Sequence, residues 1–200
     1  MDRLRLFIAI EIDDELKRAL VDVQRRLKTE PAARFVRWVA DDGIHLTLEF
    51  LGAVDAARVP ELSHALARAS AEIAPFRLTA RGLGCFPNLT RPNVIWVGVE
   101  GEVESAKQLA RNVQDECARL GFEREARGFT PHLTLGRVKR DVRPSDSRLV
   151  GEMVQRHGIL DAGQLKVEQV YLMQSDLRPG GAVYSVKSRV RLTSGIERPE

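Results

Sequence analysis

The tetrapeptide His-Leu-Thr-Leu occurs twice in this chain of 200 residues, at 45–48 and at 132–135. The two copies lie 87 residues apart, and three further identities recur at this separation: Leu78 with Leu165, Arg91 with Arg178, and Pro92 with Pro179. A unit of this length is too long for a solenoid repeat, whose period is about 20 to 50 residues. The spacing therefore predicts an internal duplication with pseudo-twofold symmetry.

Longer segments support the same duplication. The segment LTARGLGCFPNLTRPNVIWVGV (78–99) aligns with LKVEQVYLMQSDLRPGGAVYSV (165–186), with one extra glycine in the second copy. This alignment matches Trp96 with Tyr184 at a separation of 88. The opening FIAIEIDDELKRAL also resembles VIWVGVEGEVESAKQLA, since each has an apolar strand, an acidic turn and a helix. We expect the two halves to share one order of strands and helices.

Hydrophobic periodicity predicts an α+β fold. Apolar residues at helical spacing predict four helices, over residues 14–27, from Pro60 to Ala71, over 103–120 and over 146–157. Extended patterns predict strands over 4–11, 35–39, 44–51, 76–84, 93–99, the second tetrapeptide, 164–174 and 182–192. Because no Pro/Gly/Ser-rich linker divides the halves, we expect a single bilobal domain over residues 1–194, followed by a frayed tail over 195–200.

Composition narrows the class of protein. The formal net charge is only +3, so the chain as a whole carries no electrostatic commitment to nucleic acid. Cys85 and Cys117 are too few for a disulfide framework and lack metal-ligand spacing. Glu11, Asp13 and Asp14 interrupt the first apolar stretch, which excludes a signal peptide or a membrane span there. We therefore expect a cytoplasmic protein without a membrane partner.

The repeated tetrapeptide suits acid–base chemistry on a phosphodiester. Side chains alternate along a strand, so His45 and Thr47 share one face, as do His132 and Thr134. On opposite sides of a phosphorus atom, one neutral histidine can take a proton from water while one protonated histidine gives a proton to the leaving oxygen. The threonine hydroxyls can donate hydrogen bonds to the non-bridging oxygens. This scheme needs no metal and no cofactor.

A structural explanation competes with the catalytic one. A single His-Leu-Thr-Leu is an ordinary amphipathic strand, and a lone histidine there is more often structural than catalytic. The second copy, at the corresponding place in a duplicated unit, favours a joint task. A non-catalytic RNA- or nucleotide-binding module using the same residues stays an open alternative.

Several segments together resemble the two-histidine phosphoesterases, specifically the RNA 2′,3′-cyclic phosphodiesterases also described as 2′-5′ RNA ligases. The matching segments are RLFIAIEI, IHLTLEFLG, GLGCFPNLTRPNVIWVGV, TPHLTLGR and SDLRPGGAVYSV, which span nearly the whole chain. The resemblance implies two lobes whose antiparallel sheets face a central cleft, with helices outside. It also implies hydrolysis of a 2′,3′-cyclic phosphate, on an RNA end or a nucleotide, to a 2′-phosphomonoester.

The resemblance also implies roles for the paired residues. It suggests His45 as the proton donor to the leaving 3′-oxygen and His132 as the proton acceptor, with Thr47 and Thr134 binding the substrate. The symmetry of the sequence leaves open which histidine is acid and which is base. The reverse reaction would be 2′-5′ RNA ligation, and 2′-5′ oligoadenylate or ADP-ribose cyclic phosphate are alternative substrates. We expect a monomer with no obligate protein partner.

Arg137 is a further candidate substrate-binding residue, because it follows the second motif and its counterpart in the first half is Phe50. Strict alternation puts Arg137 on the face opposite His132, but a bulge at Gly136 would redirect it. A surface arginine at a strand end is the competing interpretation. Similarly, Phe50, Trp38 and Phe86 can stack on a base or belong to the core.

Overall fold

The structure, a computed structural model, describes residues 2–124, 128–158, 161–178 and 181–193. Within them, nine strands and four α-helices form the predicted α+β fold. In chain order these are β1 (Arg3–Glu11), α1 (Asp14–Lys28), β2 (Val36–Trp38), β3 (His45–Asp55), α2 (Val59–Ser70), β4 (Phe76–Phe86), β5 (Val94–Gly101), α3 (Val103–Arg119), β6 (His132–Val138), α4 (Pro144–Arg156), β7 (Asp161–Val167), β8 (Gln169–Arg178) and β9 (Gly181–Arg191).

The strands form one curled antiparallel sheet in the order β7-β4-β5-β6-β3-β1-β8-β9, with β2 beside β6. The apolar stripes of the helices join one face of this sheet in a continuous core. The predicted pair of sheets is therefore two halves of a single sheet: β7, β4, β5 and β6 in one half, and β3, β1, β8 and β9 in the other.

Strand registers confirm the duplication. All five registered pairs of β5 with β6 repeat pairs of β1 with β3, and both partners of each are shifted by 87 residues. In the first pairing Phe7, Ala9 and Glu11 lie opposite Phe50, Thr47 and His45; in the second, Val94, Trp96 and Gly98 lie opposite Arg137, Thr134 and His132.

The predicted equivalence of Trp96 with Tyr184 is wrong. In the sheet, β5 lies between β6 and β4, and β1 lies between β3 and β8. Because β6 and β3 carry the two tetrapeptides, β5 and β1 occupy equivalent positions. Trp96 lies between Gly84 and Thr134, so its counterpart is Ala9. The sequence alignment matched two hairpins whose strands are consecutive along the chain. Equivalent positions in the sheet depend instead on which strands pair across the fold.

The chain crosses between the halves of the sheet near its end. The strand predicted over 164–174 is two strands that meet at Glu168. The first, β7, pairs with β4, and the second, β8, pairs with β1. Each half of the sheet consequently contains strands from both repeats, since β4 belongs to the first repeat and β8 to the second.

One registered pair joins the halves, Leu46 of β3 opposite Leu133 of β6. These leucines are themselves 87 residues apart and fully buried. The pseudo-twofold axis therefore passes through the centre of the repeated motif.

Helix α1 illustrates how local sequence sets the elements. The side chain of Asp13 accepts a hydrogen bond from the backbone N–H of Leu16 at 2.8 Å, which caps the first turn. Leu16, Leu20 and Leu27 recur at helical spacing and are buried. Burial of each such side chain contributes about 1.5–3 kcal/mol. The helix that results covers one face of the sheet.

Other predictions meet partial tests. Residues 194–200 lie outside the described part of the chain, so the frayed tail stays a prediction. No helix of the described residues has the length and hydropathy needed to cross a bilayer. Cys85 and Cys117 are unlinked and buried, and burial raises the pKa of each thiol to about 12.

Candidate active site

The four side chains of the two motifs lie together beside the pseudo-twofold axis. Directly opposed residues of antiparallel strands point to the same face. Continuing the register of the axial leucines by one residue puts His45 opposite Thr134 and Thr47 opposite His132. Each of the four is partly exposed, whereas the leucines between them are buried. The two histidines are diagonal neighbours, and residues in such pairs are roughly 7–8 Å apart, with their Cβ atoms somewhat closer.

Two further observations agree with this arrangement. Thr47 and His132, which come from different repeats, line the same groove. The charge of His132 also acts on His45 and lowers its pKa, as close imidazoles would do. The structure thus brings the sequence-predicted pairs together on one open surface.

Each imidazole is held by a backbone group two residues earlier. Nδ1 of His132 lies 2.7 Å from the carbonyl oxygen of Thr130. His45 hydrogen bonds in the same way to the backbone of Gly43, which is the counterpart of Thr130. For His132, a proton on Nδ1 donated to this carbonyl leaves Nε2 to exchange protons with a ligand. The repeated contact gives both rings a defined orientation.

Aromatic rings surround the histidines. Phe7 stacks on His45 with ring centroids 4.8 Å apart, and Tyr184 meets the same imidazole edge-on at 5.2 Å. Gly43 permits this approach, because a Cβ there would lie 3.2 Å from the Tyr184 ring. On the other side of the axis, Phe86 meets His132 edge-on at 4.8 Å. These rings take water away from one side of each imidazole.

Burial dominates the titration of both histidines. It lowers the pKa of His45 to about 4, helped by the charges of Arg137 and His132 and opposed by the hydrogen bond to Gly43. Burial also lowers the pKa of His132, with Arg137 acting in the same direction. At neutral pH the unliganded site therefore holds two neutral imidazoles, either of which can accept a proton.

A bulge redirects Arg137 toward the histidines. Trp96 and Ile95 of β5 are neighbours, but their partners on β6 are Thr134 and Gly136, so Leu135 is an extra residue. Because an extra residue reverses the alternation that follows it, Arg137 emerges on the face of Thr134. Its charge accordingly lowers the pKa of both catalytic candidates. The sequence offered Gly136 as a place for such a bulge, and in the structure the extra residue is its neighbour Leu135.

Gln24 of α1 holds this bulge from the core. It is fully buried, and its side-chain amide donates to the carbonyls of Leu135 and Val39, both at 2.9 Å. Lys28 donates in turn to the Gln24 amide oxygen at 3.1 Å. Gln24 was not predicted from the sequence, where its only signal was an amide on the apolar stripe of a helix.

The three aromatic candidates differ in placement. Phe50 is 60% exposed and follows the equivalent bulge in β3, so it projects from the same face as Thr47. Phe86 is half-buried against His132. Trp38 packs against the core beneath the Lys28 ammonium, which lies 5.6 Å from its ring. Phe7 and Tyr184 were missed, because their contact with His45 depends on strands distant in sequence.

Neither remaining histidine belongs to this group. His64 is exposed on α2. His157 follows α4 and lies 3.2 Å from the Glu30 carboxylate. Among the described residues, His, Cys, Asp and Glu side chains nowhere gather in a set of three that could hold a metal ion. The metal-independent scheme stays a prediction.

A groove of about 1210 Å³ opens at the Thr47 and His132 end of this surface. It follows the outer part of β3 and is bounded by the loop between β4 and β5 and by residues that precede β6. The surface around the axis therefore continues into a large open channel on one side.

Comparison with known proteins identifies similar sequences and folds. The protein family described as "LigT like Phosphoesterase" matches the chain twice, over residues 10–96 and 97–184, in agreement with the internal duplication. The RNA 2′,3′-cyclic phosphodiesterase of Archaeoglobus fulgidus is 33% identical over 181 residues, which cover 90% of this chain and 96% of that protein. The same-named protein of Methanothermobacter thermautotrophicus is 31% identical over 190 residues, covering 95% and 100%.

Solved structures agree. A crystal structure from Thermus thermophilus superimposes with a TM-score of 0.77 at 28% identity, covering 96% of this chain and 99% of that one. E. coli LigT in complex with 3′-AMP gives a TM-score of 0.75 at 27% identity, with the same coverage.

Proposed function

Because this chain belongs to the LigT-like phosphoesterase family, we propose that it hydrolyses 2′,3′-cyclic phosphates on RNA ends or nucleotides to 2′-phosphomonoesters. The names of the Archaeoglobus and Methanothermobacter relatives support this reaction. The observation that carries the proposal is the convergence of two His/Thr pairs on one face beside the axis.

The proposed reaction is an in-line displacement at phosphorus. Nε2 of His132 takes a proton from water as its oxygen attacks phosphorus, and the bond from phosphorus to O3′ breaks. His45 delivers a proton to O3′, which leaves as a hydroxyl. The product keeps its phosphate on O2′. Solvent then returns a proton to His45 and removes one from His132.

The negative charge of the substrate allows His45 to be protonated and to act as the acid in this scheme. With a pKa of about 4, His45 is neutral in the free protein at pH 7. A phosphodiester anion in contact with an imidazole favours its charged form and raises its pKa. Thr47 and Thr134, diagonal to each other, donate hydrogen bonds to the two non-bridging oxygens. The guanidinium of Arg137 then balances the negative charge.

Further expectations accompany this function. The reaction requires no metal and no cofactor, and the protein acts as a monomer without an obligate protein partner. The 3′-AMP complex of E. coli LigT supports a nucleotide ligand for this fold. A cytoplasmic location, based on the two thiols, stays a prediction.

The direct test is to incubate the protein with a 2′,3′-cyclic-phosphate oligonucleotide in EDTA and to locate the phosphate in the product. We expect a 2′-phosphate. His45→Ala and His132→Ala should each lower kcat by about a hundredfold or more, as expected for loss of a general acid or base. His64→Ala is the matched control, because that histidine is exposed on α2.

Two results would contradict the proposal. Full activity in the double His45→Ala/His132→Ala variant would remove the histidines from the mechanism. Tight binding of the cyclic-ended oligonucleotide without turnover would instead favour the binding-module alternative.

A further inference from the structure

Arg137 has a second arginine directly opposite it. Strand β2 pairs with the end of β6, and in that register Arg37 lies opposite Arg137. The neighbouring pair, Val36 and Val138, packs toward the core. Because side chains alternate along a strand and opposed residues share a face, both arginines lie on the other face, which carries the histidines. The Cβ atoms of such a pair are about 4.5–5.5 Å apart, so the two side chains start from neighbouring points.

Neither guanidinium forms an ion pair with an Asp or Glu in the described part of the chain. Arginines elsewhere on the surface do form such pairs, for example Arg25 with Asp22. Both Arg37 and Arg137 are exposed. Like charges directly opposite each other on a sheet are destabilising. The fold therefore keeps together two positive charges that an anion between them would stabilise.

The duplication shows that this arginine pair belongs to one side of the axis only. The residue equivalent to Arg137 in the first half is Phe50. Beside the end of β6 lies β2, whereas beside the end of β3 the groove opens. The repeated His/Thr motif is therefore combined with a charged pair that is not repeated.

The charge of the reacting group gives a second guanidinium a role. A 2′,3′-cyclic phosphodiester carries one negative charge. As His132 takes a proton and the resulting hydroxide adds to phosphorus, the group approaches two negative charges until O3′ is protonated. The phosphomonoester product again approaches two at neutral pH, because its second pKa is about 6. An interaction that is stronger in the transition state than with the substrate raises kcat.

We propose that Arg37 is a further substrate-binding residue and that, with Arg137, it forms a site for a phosphoryl group carrying two negative charges. Arg37 contributes little to binding of the singly charged cyclic phosphate and more to the transition state and the product. Arginine suits this role, because its planar fork can bind two phosphoryl oxygens. This inference rests on the proposed function, since the change of charge belongs to that reaction.

The test separates binding of the monoanion from binding of the dianion. Arg37→Gln keeps a polar side chain but removes the charge. With 2′,3′-cyclic AMP at about pH 8, we expect kcat to fall about tenfold, the effect of one hydrogen bond to a charged group, with little change in KM. The inhibition constant of 2′-AMP, a dianion at this pH, should rise by a similar factor. Since KM and inhibition constants do not depend on the fraction of active protein, partial unfolding does not alter their comparison.

Two further variants complete the design. Arg37→Lys retains the charge without the planar fork, so it should restore part of the affinity for 2′-AMP that Arg37→Gln loses. Arg140→Gln removes an exposed arginine just beyond β6 and should leave kcat, KM and the inhibition constant as in the wild type. Because Arg37→Gln also relieves a repulsion between like charges, its midpoint of urea unfolding should not fall.

Three results would be decisive against parts of this scheme. Unchanged kcat and unchanged inhibition by 2′-AMP in Arg37→Gln would overturn the role of Arg37 alone. Parallel increases in KM for cyclic AMP and in the inhibition constant of 2′-AMP would contradict the preference for a dianion. If the wild type hydrolyses no cyclic phosphate, the proposed function fails, and calorimetric titration with inorganic phosphate then decides the arginine pair separately. Equal Kd values for the wild type and Arg37→Gln would overturn it.

Discussion

At the scale of single residues, His45 couples the site to stability. Its pKa in the fold is about 4, against about 6.5 for a free histidine, so the fold favours the neutral ring. The resulting stabilisation of the folded state is fully present above pH 6.5 and is lost as pH falls toward 4. Linkage predicts that the wild type loses about 3 kcal/mol more unfolding free energy between pH 7 and pH 4 than His45→Gln does. Urea unfolding at both pH values measures the difference, and parallel losses in the two proteins would contradict the low pKa.

Arg137 is expected to act on both histidines through its charge. The guanidinium lowers the pKa of His45 and of His132, so Arg137→Ala should raise both. NMR titration of the imidazole resonances measures the two values directly. Arg140→Ala, an exposed arginine just beyond β6, provides a matched loss of charge that should leave both titrations in place.

At the scale of elements, the β6 bulge should depend on Gln24. Gln24→Met keeps the length of the side chain but removes two donated hydrogen bonds, and it leaves the Val39 and Leu135 carbonyls without that donor. At about 1 kcal/mol for each bond, we expect a loss of about 2 kcal/mol in unfolding free energy. Because the bulge directs Arg137, KM for the cyclic phosphate should also rise.

A control separates these two effects. Gln108→Met makes the same change on α3, at an exposed residue whose amide donates to Asn112 rather than to the bulge. If Gln24→Met lowers stability while the pKa values of His45 and His132 stay as in the wild type, Gln24 has no influence on Arg137.

The elements also explain how far sequence reasoning reaches. Helix α1 was predicted to within one residue, because its cap at Asp13 and its apolar stripe are local. The division at Glu168 was not predicted, since both sides read as strand and only the partners β4 and β1 differ. Within the candidate site, the motif residues were predicted from their repetition. Tyr184 was not, because its contact with His45 requires β9 to return beside the turn at Gly43.

At the scale of the whole molecule, the exchange of strands between repeats predicts cooperative unfolding. Strand β4 cannot leave its half of the sheet without disturbing the first repeat, and β8 ties the second repeat to β1. We therefore expect one urea transition, with coincident midpoints from far-UV circular dichroism and from the fluorescence of Trp38 and Trp96. Separate midpoints for the two signals would indicate halves that unfold independently.

Leu46 and Leu133 form the single registered pair between the two halves of the sheet, and this bears on how the halves can move relative to each other. If the halves tilt by roughly 10° about this pair, a side chain one residue away has a lever arm of about 3.3 Å and shifts by about 0.6 Å. Gly52, six residues along β3, has an arm of about 20 Å and shifts by about 3.5 Å. The channel can thus widen or narrow around ligands of different size, while the His and Thr side chains of the two motifs, close to the Leu46–Leu133 pair, keep their spacing.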